Sequence, residues 1–220
     1  MNACERAPMT DSPARTRLAA LQRRAPRPGE ASFFYLDTRF DNAAVKVLPG
    51  EYFVHDDDVL LMTTLGSCIA ACLWDRERRV GGMNHFMLPE VGAGGDSASG
   101  RYGSYAMELL INELIKRGAT RSTLEAKVFG GGAVISGMTH LNVGERNTRF
   151  VLDYLATERV AVVSKDVLDV YPRKVCFLPA SGKAMVKRLA PASAEAVLRE
   201  ERQRLAAQRA VPAAGTVDLF

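Results

Sequence analysis

Three β-type segments follow one another closely between residues 59 and 88. Residues 59–65 and 69–74 are rich in apolar and β-prone side chains, and residues 80–88 form a third extended run. Only a Gly-Ser turn and a charged turn separate them. A doubly wound parallel sheet would need a helix between most of its strands. This stretch therefore favours a mixed or antiparallel β-structure.

The rest of the chain adds more strands than helices. The pattern also predicts a hairpin around Ser181-Gly182 and a Gly/Ser-rich loop at residues 92–100. Helical spacing of apolar residues indicates helices over about residues 101–117 and 145–158. Further strands are predicted at residues 45–48, 52–54, 124–129, 160–163, 175–178 and 184–189. We expect an α/β fold, in which layered, mixed or antiparallel β-structure is flanked by two helices.

The length of 220 residues is typical of one domain with tails. Residues 1–30 contain six Arg and four Pro and predict a disordered basic arm. Residues 31–191 form the predicted domain, and residues 192–220 a charged, solvated helix followed by a loose tail. Most of the net charge of +4 comes from the arm. A nucleic-acid-binding protein should instead carry a basic face on its folded domain.

The composition also argues against a membrane or secreted protein. No apolar run approaches the ~18 residues of a membrane span, and the N-terminus has no clean secretory signal. The cysteines form no CxxC pair, which favours reduced thiols and a cytoplasmic location. They are Cys4, Cys68, Cys72 and Cys176.

A Cys–His pair is the leading candidate for chemistry. Cys68 follows a predicted strand and a Gly-Ser turn, and His85 lies 17 residues further on. Two strands joined by a short connection would bring these positions face to face. A nearby imidazole lowers the pKa of a thiol and makes it a strong nucleophile. Cys72 lies within an apolar run and is interpreted as a core residue.

Other polar and glycine-rich positions near the pair have weaker signals. The backbone around Gly66 and Ser67 can face an oxyanion, and Asn84 is a further candidate for lining the site. The Gly130-Gly131-Gly132 run lacks the Lys and Ser/Thr of a phosphate loop, so we interpret it as a tight turn near the site. The scattered histidines, which include His55 and His140, give no spacing typical of a metal site.

Five blocks of the chain resemble the chemoreceptor glutamine deamidases, the CheD family. They occur in the family's order and span roughly residues 44–190. They are LGSC with GGMNHFMLP, RYGSYAMELLINEL, LEAKVFGGGAV, NVGERN and YPRKVCFLP. The resemblance implies a layered α/β fold, Cys68 as nucleophile and His85 as general base. It implies no metal or organic cofactor.

The sequence departs from the family at one position. The family usually has a threonine six residues before the cysteine, where its hydroxyl can steady the histidine, but Met62 stands there. Thr63 and Thr64 are the two candidates to replace it. Strand alternation puts Thr64 on the same face as Met62 and therefore favours Thr64, whereas a bulge would favour Thr63.

The resemblance implies hydrolysis of glutamine side-chain amides on the cytoplasmic helices of methyl-accepting chemotaxis receptors. Ammonia would be released and a thioester formed on Cys68 before glutamate is freed, and a methyl ester on the same side chain would be chemically accessible. Some family members bind a phosphatase-like chemotaxis regulator, which makes such a regulator a candidate partner. The alternatives are a receptor-binding adaptor with little catalysis and another thiol enzyme, such as a peptidase or an acyl transferase.

Overall fold

The structure is a computed structural model. It describes residues 12–25, 27–88, 95–133, 143–190, 195–197, 199–201 and 203. Within these ranges no helix is both long enough and apolar enough to cross a membrane.

The described strands form two five-stranded sheets. The first sheet has the order β1-β2-β4-β9-β10, and the second has the order β3-β6-β5-β7-β8. Most neighbouring strands are antiparallel, but β2 pairs with β4, and β7 with β8, in parallel. The strands are β1 Phe33–Asp37, β2 Asn42–Lys46, β3 Tyr52–His55, β4 Leu60–Leu65, β5 Ile69–Asp75, β6 Val80–Asn84, β7 Leu124–Gly130, β8 Ala161–Val167, β9 Arg173–Leu178 and β10 Lys183–Arg188.

Three helices are α1 Pro13–Gln22, α2 Gly95–Lys116 and α3 Val143–Thr157. The two helices predicted from apolar spacing correspond to α2 and α3. On α3 the buried residues recur at helical spacing, from Asn147 through Val151 to Leu155. An α/β fold with mixed sheets and two flanking helices is therefore confirmed.

The core consists of two main apolar layers and a smaller cluster on the other face of the first sheet. One layer lies between the two sheets and contains Leu61 and Val175 from the first sheet together with Ala70 and Met83 from the second. The other layer lies between the second sheet and the helices α2 and α3. Because successive strand residues point to opposite faces, β5 contributes to both layers. The second sheet is thus covered on both faces, which explains why its central strand β5 is almost continuously apolar.

The buried carboxylate of Asp75 fixes the charged turn between β5 and β6. It accepts hydrogen bonds from the backbone amides of Glu77 and Arg78, and also from the loop that precedes β7, through Thr120 and Thr123. Burial opposes ionisation of Asp75, but these hydrogen bonds outweigh it and lower its pKa below the usual value. Asp75 therefore ties two connections of the second sheet together.

The N-terminal segment differs from the predicted disorder. Residues 13–22 are helical, Ser12 caps this helix, and Leu21 is buried against the first sheet. Arg27 extends the contact by pairing with Glu113 of α2 at 2.7 Å. This packing has little signature in the local pattern, because it depends on few apolar residues and on partners distant in the chain. Residues 1–11 lie outside the described residues, and the division into arm, domain and tail stays a prediction.

Two further differences concern element boundaries. The predicted loop at 92–100 is wrong for residues 95–100, because α2 begins at residue 95. Strand β1 was not predicted, although Phe33–Asp37 pairs antiparallel with β2. Its residues are exposed or half-buried, so the strand lacks the apolar alternation that identifies the others.

Candidate active site

Cys68 lies in a loop that joins the two sheets. β4 belongs to the first sheet and β5 to the second, so residues 66–68 cross from one to the other. The Cys68 side chain is fully buried. Backbone groups in such a crossing have no strand partner, and buried ones must be hydrogen-bonded elsewhere.

Two other elements bind the carbonyl groups of this loop. Gly131 donates its backbone N–H to the Cys68 carbonyl over 2.8 Å, and Gly132 donates in the same way to Gly66 over 2.8 Å. Asn147 of α3 donates its side-chain amide to the carbonyl of Ser67 over 2.8 Å. Because the carbonyls of residues 66–68 each accept a hydrogen bond, the loop is held in a single orientation. Its N–H groups then remain available to bind another group.

The triglycine segment after β7 provides a close support for this loop. Gly130 has a φ of +110°, and a side-chain carbon there would overlap the Cys68 carbonyl oxygen. Gly131 has a φ of +68°, and a side-chain carbon there would overlap Thr148. Both the backbone conformation and the contact distance require glycine. The predicted tight turn thus lies directly behind the nucleophile candidate.

His85 follows β6 and is fixed through its backbone and its ring. Its N–H donates to the Glu51 carbonyl over 2.9 Å, and its carbonyl accepts from Gly50 over 2.6 Å. Its Nδ1 lies 2.8 Å from the hydroxyl oxygen of Thr63. That hydroxyl also lies 2.8 Å from the carbonyl oxygen of Val47, to which it donates.

These contacts determine which imidazole nitrogen carries the proton. Because the Thr63 hydroxyl gives its proton to Val47, it must accept from Nδ1–H of His85. Nε2 is then unprotonated, and it is buried with no hydrogen-bond partner among the described residues. Burial is the largest influence on this ring and lowers its pKa, so the neutral form is favoured. A neutral imidazole with an available Nε2 lone pair is suited to accept a proton.

The structure places Thr63, and not Thr64, against His85. The β4–β9 register runs without interruption from Leu61 to Leu65, so no bulge is involved. Thr63 points between the sheets with Leu61, whereas Met62 and Thr64 point to the opposite face. Strand alternation correctly puts Met62 and Thr64 on one face, but the prediction of Thr64 is wrong, because that face points away from His85. Thr64 is half-buried beside the site.

The thiol is close to both His85 and an acidic residue. The Cys68 sulfur, one imidazole nitrogen and one carboxylate oxygen of Glu201 all lie within 4.8 Å of one another. Burial raises the pKa of Cys68 well above its usual value, and the charge and hydrogen bond of Glu201 raise it further. In this arrangement Cys68 is therefore a neutral thiol.

Glu201 comes from the C-terminal segment and binds the N–H groups of the cysteine loop. Its Oε1 accepts from the amides of Gly66 at 2.7 Å and Cys68 at 3.3 Å. Its Oε2 accepts from the Ser67 amide at 3.3 Å and from the Ser67 hydroxyl at 3.1 Å. Three consecutive amides that converge on one carboxylate form a site for an anionic oxygen.

Gly66 and Ser67 thus lie where the sequence predicted, whereas Asn84 does not line the cysteine loop. The Asn84 side chain accepts from the Ala71 amide at 3.0 Å and donates to the Ala106 carbonyl at 3.1 Å. Asn84 therefore links β5 to α2 on the helix side of the second sheet. Sequence proximity to His85 was misleading because adjacent residues point to opposite faces of a strand.

The remaining cysteine and histidine candidates lie away from this cluster. Cys72 is fully buried in the layer between the sheets, and burial raises its pKa strongly. His55 stacks on Phe53 and accepts a hydrogen bond from the Asp57 amide at 2.9 Å. His140 lies outside the described residues.

Sequence reasoning missed the roles of two residues at the site. Asn147 lies in the NVGERN block and is fully buried; besides Ser67 it binds the amide of Leu88, at 3.0 Å. A polar residue among the buried positions of α3 was the available signal. Glu201 lies in a charged segment interpreted as solvated, so its composition gave no signal.

Cys68, His85 and Glu201 also offer three atoms of the kinds that bind metals. The carboxylate, however, already accepts hydrogen bonds from the loop amides through both of its oxygens. N–H donors satisfy a carboxylate without a cation, and a metal ion would have to displace them. The arrangement therefore suits an anion or a carbonyl oxygen better than a metal ion.

Comparison with known proteins identifies the family. A family model described as "CheD chemotactic sensory transduction" matches residues 87–188. A protein of Albidiferax ferrireducens named "Probable chemoreceptor glutamine deamidase CheD 1" is 61% identical over 208 residues, covering 93% of this chain and 87% of that protein. A protein of Herminiimonas arsenicoxydans named "Probable chemoreceptor glutamine deamidase CheD" is 49% identical, covering 86% and 95%. The chain belongs to the CheD family.

Proposed function

We propose that this protein is a protein-glutamine glutaminase that converts specific glutamine side chains of chemotaxis receptors to glutamate. The observation that carries the proposal is a buried thiol beside an unprotonated imidazole nitrogen and three converging backbone amides. This combination suits acyl transfer at a carbonyl group. The names of the relatives supply the substrate class, chemoreceptor glutamines.

The reaction begins with proton transfer from the Cys68 thiol to Nε2 of His85. The Thr63 hydroxyl holds Nδ1–H, so the ring presents Nε2 throughout and the positive charge that develops is stabilised next to the thiolate. The thiolate then attacks the carbonyl carbon of the glutamine side chain. Because burial disfavours an isolated thiolate, proton transfer and attack are expected to be closely coupled.

The loop amides stabilise the negative charge that develops on the carbonyl oxygen. In the structure one carboxylate oxygen lies 2.7 Å from the Gly66 nitrogen and 3.3 Å from the Cys68 nitrogen. We assign this position to the oxyanion. The Ser67 hydroxyl, which donates to the second carboxylate oxygen in the structure, can also accept a hydrogen bond from the substrate NH₂ group.

Three further proton transfers through His85 complete the cycle. His85 gives its proton to the amide nitrogen, the C–N bond breaks, and ammonia leaves a thioester on Cys68. Nε2 then removes a proton from water, whose oxygen attacks the thioester carbon, and the C–S bond breaks. His85 returns this proton to the sulfur, so the thiol is regenerated and glutamate is released. A glutamyl methyl ester presents the same carbonyl, so we propose methylesterase activity as a side reaction.

We propose that the substrate glutamines lie on the cytoplasmic helices of methyl-accepting chemotaxis receptors and that the enzyme acts in the cytoplasm. Deamidation turns a neutral amide into a charged and methylatable carboxylate, which changes helix packing and signalling. Binding of a phosphatase-like chemotaxis regulator stays a prediction.

Mass spectrometry of a purified receptor cytoplasmic fragment tests the proposal. The wild-type chain should produce the mass gain of amide-to-acid conversion at particular glutamines, and Cys68→Ala should produce none while still binding the fragment. Cys72→Ala is the matched control, because this thiol is equally buried but lies away from His85, and it should retain activity. Backbone cleavage would indicate a peptidase, and binding without any change of mass an adaptor; either result would refute the proposal.

A further inference from the structure

The C-terminal segment places a glutamate side chain at the position assigned to the substrate. Residues 195–197, 199–201 and 203 are helical, and the polar side chain of Glu201 is only 2% exposed. Buried carboxylates are rare unless they are fully hydrogen-bonded. Here the hydrogen bonds come from the Gly66, Ser67 and Cys68 amides, the groups to which we assign oxyanion binding.

Two further contacts hold the segment in place. Val197 is buried, and it lies four residues before Glu201, hence on the same helix face. Glu200 pairs with Lys46 at 2.6 Å at the rim of the site. Val197, Glu200 and Glu201 line one small pocket together with His85 and Thr63. The segment is thus held beside the catalytic groups by one buried apolar side chain, Val197, and one ion pair, between Glu200 and Lys46. A helical ligand bound at the site would make contacts of the same kinds.

We propose that the described part of the C-terminal segment, residues 195–197, 199–201 and 203, is an internal product mimic, in which Glu201 occupies the position of the glutamate that the reaction generates. The inference deepens the proposed function and rests on it. A substrate glutamine must displace this segment before it can reach Cys68, so the resting enzyme is autoinhibited.

The geometry agrees with a bound product in two respects. The Oε1 atom of Glu201 takes the oxyanion position, and its Oε2 atom takes the position of the leaving nitrogen beside the Ser67 hydroxyl. The carboxylate also accepts from the Cys68 thiol, which keeps the nucleophile protonated. A carboxylate resists attack by a thiolate, so this complex is unreactive and the segment persists unchanged.

The same geometry predicts that an amide at position 201 becomes a substrate. In Glu201→Gln, the Cys68 thiolate would form an S–C bond to the new side-chain carbonyl, and the C–N bond would break as His85 protonates the leaving ammonia. Water would then form a C–O bond, the C–S bond would break, and a glutamate would be restored. The variant should therefore convert itself back to the wild-type sequence, with water as the only co-reactant.

Peptide mapping by mass spectrometry of full-length Glu201→Gln tests this directly. The fraction of acid at position 201 should rise with time at a rate independent of protein concentration, as expected of a reaction within one molecule. Cys68→Ala combined with Glu201→Gln should stay an amide. Glu200→Gln is the matched control, since its side chain contacts Lys46 and none of the loop amides, and it should also stay an amide.

Turnover of the receptor fragment provides a second readout. Glu201→Ala should raise kcat/KM by roughly tenfold if the segment occupies the site about nine-tenths of the time, because apparent affinity scales with the competent fraction. Glu195→Ala, an exposed position on the same helix, should leave it unchanged. A stable amide in Glu201→Gln, together with unchanged kcat/KM in Glu201→Ala, would overturn the inference while wild-type receptor deamidation stands. Failure of the wild-type chain to deamidate the receptor fragment would instead refute the proposed function.

Discussion

Replacing Thr63 with valine should lower turnover with little effect on substrate binding. The Thr63 hydroxyl is the only acceptor within 3 Å of His85 Nδ1 among the described residues, and the next, the Val47 carbonyl, lies at 3.4 Å. Without the hydroxyl, the Nδ1 proton keeps only the longer contact to the Val47 carbonyl, so the preference for this tautomer weakens. When the proton moves to Nε2, His85 can no longer act as the base.

The magnitude follows from the hydrogen bond that is lost. A buried neutral hydrogen bond contributes about 1–1.5 kcal/mol, and 1.4 kcal/mol corresponds to about tenfold in rate. We therefore expect kcat of Thr63→Val to fall about tenfold, with KM within about twofold of wild type. Stability should fall by only about 1 kcal/mol, because the Val47 carbonyl loses one donor while valine fills the space.

The assay is steady-state ammonia release from the receptor fragment, combined with thermal unfolding. Thr64→Val is the matched control: it makes the same change one residue further along β4, on the face that points away from His85. Thr63→Ser should restore most of the turnover, since it returns the hydroxyl. Equal effects of the two valine variants, or normal turnover in Thr63→Val, would refute the orienting role and leave a Cys–His dyad.

Three further predictions concern the surroundings of the site. Gly130→Ala should lower the free energy of unfolding by about 3 kcal/mol, measured by denaturant titration, because the new methyl group meets the Cys68 carbonyl and the φ is unfavourable for alanine; an unchanged midpoint would contradict the close support of the loop. Asn147→Ala should lower kcat more than about fivefold in ammonia release, because the Ser67 carbonyl loses its donor and the loop amides lose alignment; wild-type kcat would count against this. The pKa of Asp75 is lowered in the folded state. Its ionised carboxylate therefore stabilises the fold fully at pH values above the unfolded-state pKa of about 3.9, and this stabilisation is lost as the pH falls through the lower folded-state pKa. Asp75→Ala should therefore flatten the acid side of the pH–stability curve, whereas an identical curve would exclude this role.

Much of the fold was predictable because it is encoded in local patterns. The run of apolar segments over residues 59–88 and the helical spacing in α3 each identify an element without reference to the rest of the chain. Helix α1 was missed because its stability comes from partners elsewhere, such as the buried contact of Leu21. Strand β1 was missed because its residues are exposed or half-buried and show no apolar alternation. Patterns within a segment cannot report such contacts.

The site was predictable in part and for a different reason. Cys68 and His85 came from motif spacing, but the choice between the threonines needed the absolute orientation of β4. Alternation along a strand predicts which residues share a face, but only the three-dimensional structure shows which face contacts His85.

Glu201 shows where sequence reasoning fails most clearly. Its segment is charged and has few apolar residues, which is typical of a solvated helix, and Val197 is the one buried apolar residue among those described there. What holds the segment is a set of backbone N–H groups, and backbone groups leave no mark in a sequence. The loop presents those N–H groups because Gly131, Gly132 and Asn147 bind its carbonyls. The carboxylate is therefore stabilised by an arrangement built far away in the chain, and the same arrangement would bind the oxyanion of a substrate.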